Sequence, residues 1–176
     1  MSTIINIPLP VVTATISWRS RYEAAYQKHY RETYPAAFKD HGYIKIAFPS
    51  ISKSNGLTQA IIKFICWEQG NADRSSTQGR LTKGIERLES GNRMTVTKWL
   101  PSANRPGTAD VSATIKGRSV KIEIKVGHDT PSDKQLAEQI RERRAGGIYE
   151  FIHDMDEFFI LYDKIVAQAT QQQNLF

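Results

Sequence analysis

The stretch Gly107-Thr-Ala-Asp-Val-Ser-Ala-Thr-Ile-Lys-Gly-Arg-Ser-Val-Lys-Ile-Glu-Ile-Lys125 decides the fold of this chain. Val111 to Ile115 and Arg118 to Val126 alternate apolar and polar residues around Lys116-Gly117, which predicts two antiparallel strands and a tight turn. A two-residue loop at Lys116-Gly117 pairs Ile115 with Arg118, and counting back along both strands puts Asp110 opposite Glu123. A four-residue loop over 115–118 keeps that register; a three-residue loop breaks it. Directly opposed residues point to one face, with Cβ atoms roughly 5 Å apart.

Alternation along the second strand sends Ile122 and Ile124 one way and Lys121, Glu123 and Lys125 the other. Two acids and a lysine therefore converge on one spot. Like charges so placed persist when a cation sits between them, or when both are solvated. Hard oxygen ligands with open positions suit Mg²⁺ or Mn²⁺. Such an ion polarises a phosphoryl oxygen and activates a water, and a lysine beside it steadies developing charge. A charged solvent face of an ordinary sheet has the same spacing, so spacing alone leaves both readings open.

Working outward, Thr130 is a plausible helix cap with Pro131 at the first helical position, and the helix runs to about Arg144 before Ala145-Gly-Gly147. Ile148 to Ile152 reads as a strand. Asp154 caps a last helix with Asp156 and Glu157 in its first turn. Upstream, Asn92 to Leu100 reads as a strand and Leu57 to Gln69 as a helix ended by Gly70. Arg74 to Arg80 is an irregular strand or loop. The expected class is α/β in the α+β sense, with a mixed layer of strands and helices rather than a doubly wound sheet.

Residues 1–52 form an aromatic and basic extension expected to pack on a main domain at 53–170, with a disordered tail at 171–176. Ser17 can cap a helix to about Thr33 that carries Trp18, Tyr22, Tyr26 and Tyr30 on one face. That face either packs on the domain or offers rings to DNA or a partner subunit. Tyr43 to Phe48 fits a short strand. Cys66, in the apolar run Ile61 to Trp67, reads as a small buried residue.

The chain has 176 residues, enough for one domain with a proper core, and a net charge of +6 with a pI of about 9.5. A basic balance favours a polyanionic partner without identifying it. One cysteine allows neither an internal disulfide nor a cysteine zinc site. Met1 to Pro10 does not read as a signal peptide, and no apolar stretch approaches the roughly 20 residues that cross a membrane. The expected setting is a reducing, cytoplasmic one.

Gly107-Thr-Ala-Asp110, Ile122-Glu-Ile-Lys125, Ser132-Asp-Lys-Gln135 and Gly146-Gly-Ile-Tyr149 together resemble the PD-(D/E)XK nuclease superfamily, and within it the virus-type replication-repair (VRR-NUC) group. The resemblance covers about Gly56 to Phe159 and is strongest from Arg105 to Ile152. It implies a restriction-endonuclease-like core, a mixed sheet flanked by helices. It also implies a metal-dependent DNA endonuclease, structure-specific for branched or Holliday-junction DNA in replication, repair or recombination, and a possible homodimer. Asp110 and Glu123, with the backbone carbonyl of Ile124, would hold Mg²⁺ or Mn²⁺. Lys125 would be the catalytic lysine, and Gln135 would support the bound water or the phosphate, with Gln139 one turn later. Ser75, Thr77 and Arg80 either contact phosphate or belong to a plain loop. Apart from the resemblance, Arg141, Arg143 and Arg144 read either as DNA-backbone contacts or as an ordinary solvated helix end, and His128 either as a phosphate or metal contact or as a loop residue. The chain departs from the pattern in having Ala109 for the proline, and in offering only Gln59 and the distant Glu68 where the group often has a helix glutamate. A DNA-binding module without catalysis and a sequence-reading restriction-type enzyme are the other readings.

Overall fold

The computed structural model describes residues 16–75, 80–87, 91–100 and 107–173. The architecture is mixed α/β. Strands β1 (Asn71–Arg74), β4 (Val111–Ile115), β5 (Arg118–Ile124) and β6 (Ile148–Ile152) form one sheet in the order β1-β4-β5-β6. The first two pairings are antiparallel and the last is parallel. Parallel strands need a crossover, and α4 (Asp133–Arg144) supplies it. A second, two-stranded sheet pairs β2 (Arg80–Arg87) with β3 (Arg93–Leu100).

The hairpin register is the one expected. Ile115 pairs with Arg118 and Val111 with Ile122. Lys116 (φ 48°) and Gly117 (φ 80°) both adopt positive φ, as a type I′ turn requires, and its twist suits the flanking strands. Alternate residues Val111, Ala113, Ile115, Val120, Ile122 and Ile124 enter the core from one face of the sheet. Helices α3 (Ser54–Trp67) and α5 (Met155–Gln173) supply the other side of that core, with Phe64 set edge-on to Phe158, Phe159 and Tyr162. No described helix is long and apolar enough to cross a membrane.

Helix α1 (Trp18–Thr33) is capped by Ser17, whose side chain accepts from the Ser20 amide. Its aromatic face packs inward. Tyr22 is buried and Tyr26 meets Trp67 of α3, with ring centroids 4.8 and 5.1 Å from that indole. Arg21 lies 4.1 Å over Phe159 and holds Asp163 of α5 through two hydrogen bonds. Helix α1 is thus packed on α3 and α5. A short α2 (Pro35–His41) follows, with Pro35 at its first position.

Several expectations are corrected. Tyr43 to Phe48 is not a strand; at Ile44 the Gln27 side chain binds both backbone groups, taking the place of a neighbouring strand. Helix α3 begins at Ser54 and ends in a Schellman motif whose left-handed residue is Gln69 (φ 63°), not Gly70. Gly70 is needed for space, because a Cβ there would sit 2.6 Å from Ile65 and 3.0 Å from the Thr114 carbonyl. Cys66 is exposed, because helical spacing puts it with Gln59 and Lys63 on the outer face of α3. The cap of α4 is Ser132 rather than Thr130. Helix α5, capped by Asp154, continues through 171–173 into the segment expected to be a disordered tail, and 174–176 lie outside the described residues.

Gly107 has φ +88°, and a Cβ on it would lie 2.6 Å from the Lys134 carbonyl oxygen in the first turn of α4. The lead into β4 therefore touches α4 backbone to backbone. Gly117 has similar φ but open space around it. Gly107→Ala is expected to lower the unfolding free energy by about 3 kcal/mol, against about 1 kcal/mol for Gly117→Ala, in urea denaturation. Equal losses would contradict a close approach at Gly107.

Candidate functional site

The site lies on the sheet face opposite the α3–α5 core. Extending the registers of β1, β4 and β5 by one residue sets Ser75, Asp110 and Glu123 in a row across three strands. The Ser75 amide donates to the Asp110 carbonyl at 2.8 Å, which fixes the first step of that row. The Ile124 amide donates to Asp110 Oδ2 at 3.0 Å, which ties the Asp110 carboxylate to β5. Ile124 takes part through its backbone, since its side chain belongs to the core.

Glu123 and Lys125 are 5% and 4% exposed, values unusual for charged residues unless they are paired. Lys125 Nζ lies 3.5 Å from Glu123 Oε1 and 3.3 Å from Asp129 Oδ2. Gln135 Nε2 also donates to Glu123 Oε1. The other end of the Gln135 amide accepts from the Ser132 amide and hydroxyl, at 2.9 and 3.1 Å, completing a capping box. One glutamine thus closes the first turn of α4 and aims a donor at the carboxylate. Gly107 admits that turn to the sheet, and the Tyr149 hydroxyl donates to the Gly107 carbonyl at 3.1 Å.

Both donors address the same oxygen. Glu123 Oε2 is buried with no hydrogen-bond partner. An orphaned buried acceptor costs about 1–3 kcal/mol, so native proteins rarely keep one without another ligand. Burial and the nearby Asp110 carboxylate push the Glu123 pKa up from 4.5 to about 7, against an opposing pull from Lys125. A divalent cation would relieve both conditions, as a partner for Oε2 and as a countercharge for two carboxylates. Among the described residues no group of three or more His, Cys, Asp or Glu could hold a metal. A cation here would take two carboxylates, backbone oxygen and water, a set that suits Mg²⁺ better than a metal needing a full protein cage.

The remaining candidates divide. Gln139 donates to the Tyr149 carbonyl at 3.1 Å, so it anchors α4 to β6. Arg141 is paired with the buried Glu138, and Arg143 with Glu150 at 2.9 Å. Arg144 and His128 are exposed. Gln59 is exposed on α3, and Glu68 pairs with Lys28 at 3.2 Å, so neither adds a carboxylate to the site. Arg80 opens β2; Thr77 lies outside the described residues. Sequence reasoning missed Asp129. It reaches Lys125 by a loop turn at Gly127 (φ 70°), a contact to which no helix or strand period points. Comparison with protein-family models and with curated proteins finds no match to this chain.

Because Glu123 holds its proton more tightly folded than unfolded, metal-free stability falls as pH rises from about 4.5 through about 7 and levels off above. Thermal or urea unfolding without metal is expected to show this fall, on the order of 3 kcal/mol, in the wild type. Glu123→Gln is expected to flatten it. Identical pH profiles for the two proteins would contradict a raised Glu123.

Proposed function

We propose that this chain is a Mg²⁺- or Mn²⁺-dependent nuclease that hydrolyses DNA phosphodiester bonds, built on a PD-(D/E)XK-type core of the virus-type replication-repair group. The observation that carries the reading is the buried, unpartnered Oε2 of Glu123, set beside Asp110 and Lys125. The order of the Gly107–Asp110, Glu123–Lys125, Ser132–Gln135 and Gly146–Tyr149 motifs supports it, as does the basic charge of +6.

Asp110, Glu123 and the backbone of Ile124 would hold the metal. When bound, it supplies Lewis-acid charge to a phosphoryl oxygen and makes a water acidic enough to attack. The chain's own residues do the rest. Lys125, held between Glu123 and Asp129, presents a cation where charge develops on the phosphate. Gln135 fixes the rotamer of Glu123 from a helix start that cannot shift without breaking its own cap. Ile124 directs Asp110 through its amide. Branched DNA is the proposed substrate on the resemblance alone, and a homodimer would bring two such sites to two strands.

The test is cleavage of linear, flapped and four-way DNA with Mg²⁺ or Mn²⁺. Lys125→Ala is expected to slow cutting about 100-fold or more, consistent with loss of one charge-stabilising donor. Asp110→Asn is expected to abolish metal-dependent cutting. Cleavage by Lys125→Ala at the wild-type rate, or no cleavage of any substrate by the wild type, would overturn the proposal.

A further inference from the structure

The β2–β3 hairpin stands apart from the main sheet. It forms its own sheet, and among the described residues it contributes none to the hydrophobic cluster. An isolated two-stranded ribbon is marginal in water. This one nonetheless exposes large apolar side chains, with Ile85 71% and Trp99 61% accessible. That exposure, on a ribbon outside the main sheet, leaves a surface on which a ligand can bind.

The register sorts its charges. Lys83 pairs with Thr97, Ile85 with Thr95 and Arg87 with Arg93, so Lys83, Arg87 and Arg93 share one face with Ile85 and Trp99. Like charges opposed across a ladder, as at Arg87 and Arg93, are destabilising. None of the three cations has an ion pair among the described residues. The only acid in the two strands, Glu86, lies on the opposite face, paired with Lys98. One face therefore carries three cations and no acid, while the other sets Glu86 among Arg80 and Lys98.

We infer that the Lys83–Arg87–Arg93 face of this ribbon is a duplex-DNA clamp, gripping phosphates beside the bond presented to Asp110, Glu123 and Lys125. Charge decides the occupant. A symmetric contact with a second copy would set this patch against itself, three cations facing three, whereas a phosphate backbone complements it. A two-stranded ribbon also fits the major groove. Connectivity decides the place. The ribbon is inserted between β1 and β4, whose ends carry Ser75 and Asp110. Five residue steps separate Ser75 from Arg80, a reach of at most about 18 Å. Whatever the ribbon holds is tethered to the carboxylate end of the sheet. The inference rests on the nuclease reading for its substrate but is tested apart from it.

The test is binding of a labelled 40-base-pair duplex by the full chain in EDTA, where cutting is silent, across a salt series. Lys83→Gln/Arg87→Gln/Arg93→Gln is expected to weaken binding roughly 10- to 100-fold and to lower the salt slope by about 3. Arg93→Gln alone, a milder change should the triple variant fold poorly, is expected to lower the slope by about 1, and Arg93→Lys to restore it. Unchanged affinity and slope in these variants would overturn the clamp. So would unchanged duplex binding accompanied by a change in oligomeric state, which would assign the face to a second copy. Cleavage in Mg²⁺ is scored separately. Ribbon-dependent binding by a wild type that cuts nothing supports the clamp and rejects the nuclease; cutting with ribbon-independent affinity rejects the clamp alone.

Discussion

The arrangement of this molecule turns on one buried carboxylate. Glu123 sits at the end of β5 with Asp110 beside it, Lys125 two residues on, and a helix start pressed over it. A lone carboxylate in such a place would protonate, and its pKa of about 7 records that tendency. Lys125 and Gln135 offset part of the burial, but both do so through Oε1. Oε2 is left buried with no hydrogen-bond partner, and in the proposed reading a cation would take that place.

Much of the supporting structure follows from that demand. Gln135 reaches Glu123 because the first turn of α4 lies against the lead into β4, and that approach is open only because residue 107 has no side chain. The same turn is locked by its own capping box, so the donor arrives pre-oriented. Gln139 holds α4 to β6 through the Tyr149 carbonyl, and the Tyr149 hydroxyl ties β6 to the lead into β4. The opposite face of the sheet is dry and aromatic, so the strands that carry the acids are anchored from behind. Rigid anchoring on one face and a charged row on the other are compatible because side chains alternate across the strand.

The hairpin could be read from the sequence because Lys116-Gly117 marks a tight turn, and the two-residue loop formed there, one of the loop lengths the sequence left open, fixes every pair behind it, Val111 with Ile122 included. The helix start at Ser132 was half legible: the Ser-x-x-Gln pattern is there, but Thr130-Pro131 offers a competing cap two residues earlier. Elsewhere tertiary forces overrode local signals. Gln69 takes the left-handed position that a glycine would normally fill, because its neighbour Gly70 is consumed by close packing against Ile65 and Thr114. Tyr43 to Phe48 has strand-like composition but finds a side chain as its backbone partner. Strand β2 carries no apolar stripe, since it faces no core, so period-two reasoning had nothing to detect. The pairing of Lys125 with Asp129 depends on a loop conformation, to which sequence spacing gives no guide.

If Asp110 and Glu123 together hold a divalent cation, calorimetric titration of the DNA-free protein with Mn²⁺ will read it out. At pH 6.5, below the Glu123 pKa of about 7, the account predicts one binding event that releases a fraction of a proton, seen as a dependence of the heat on buffer ionisation enthalpy. Glu123→Gln and Asp110→Asn should each lose that event while still unfolding cooperatively. Mn²⁺ binding of equal strength in wild type and both variants, or none in the wild type at millimolar metal, would contradict it.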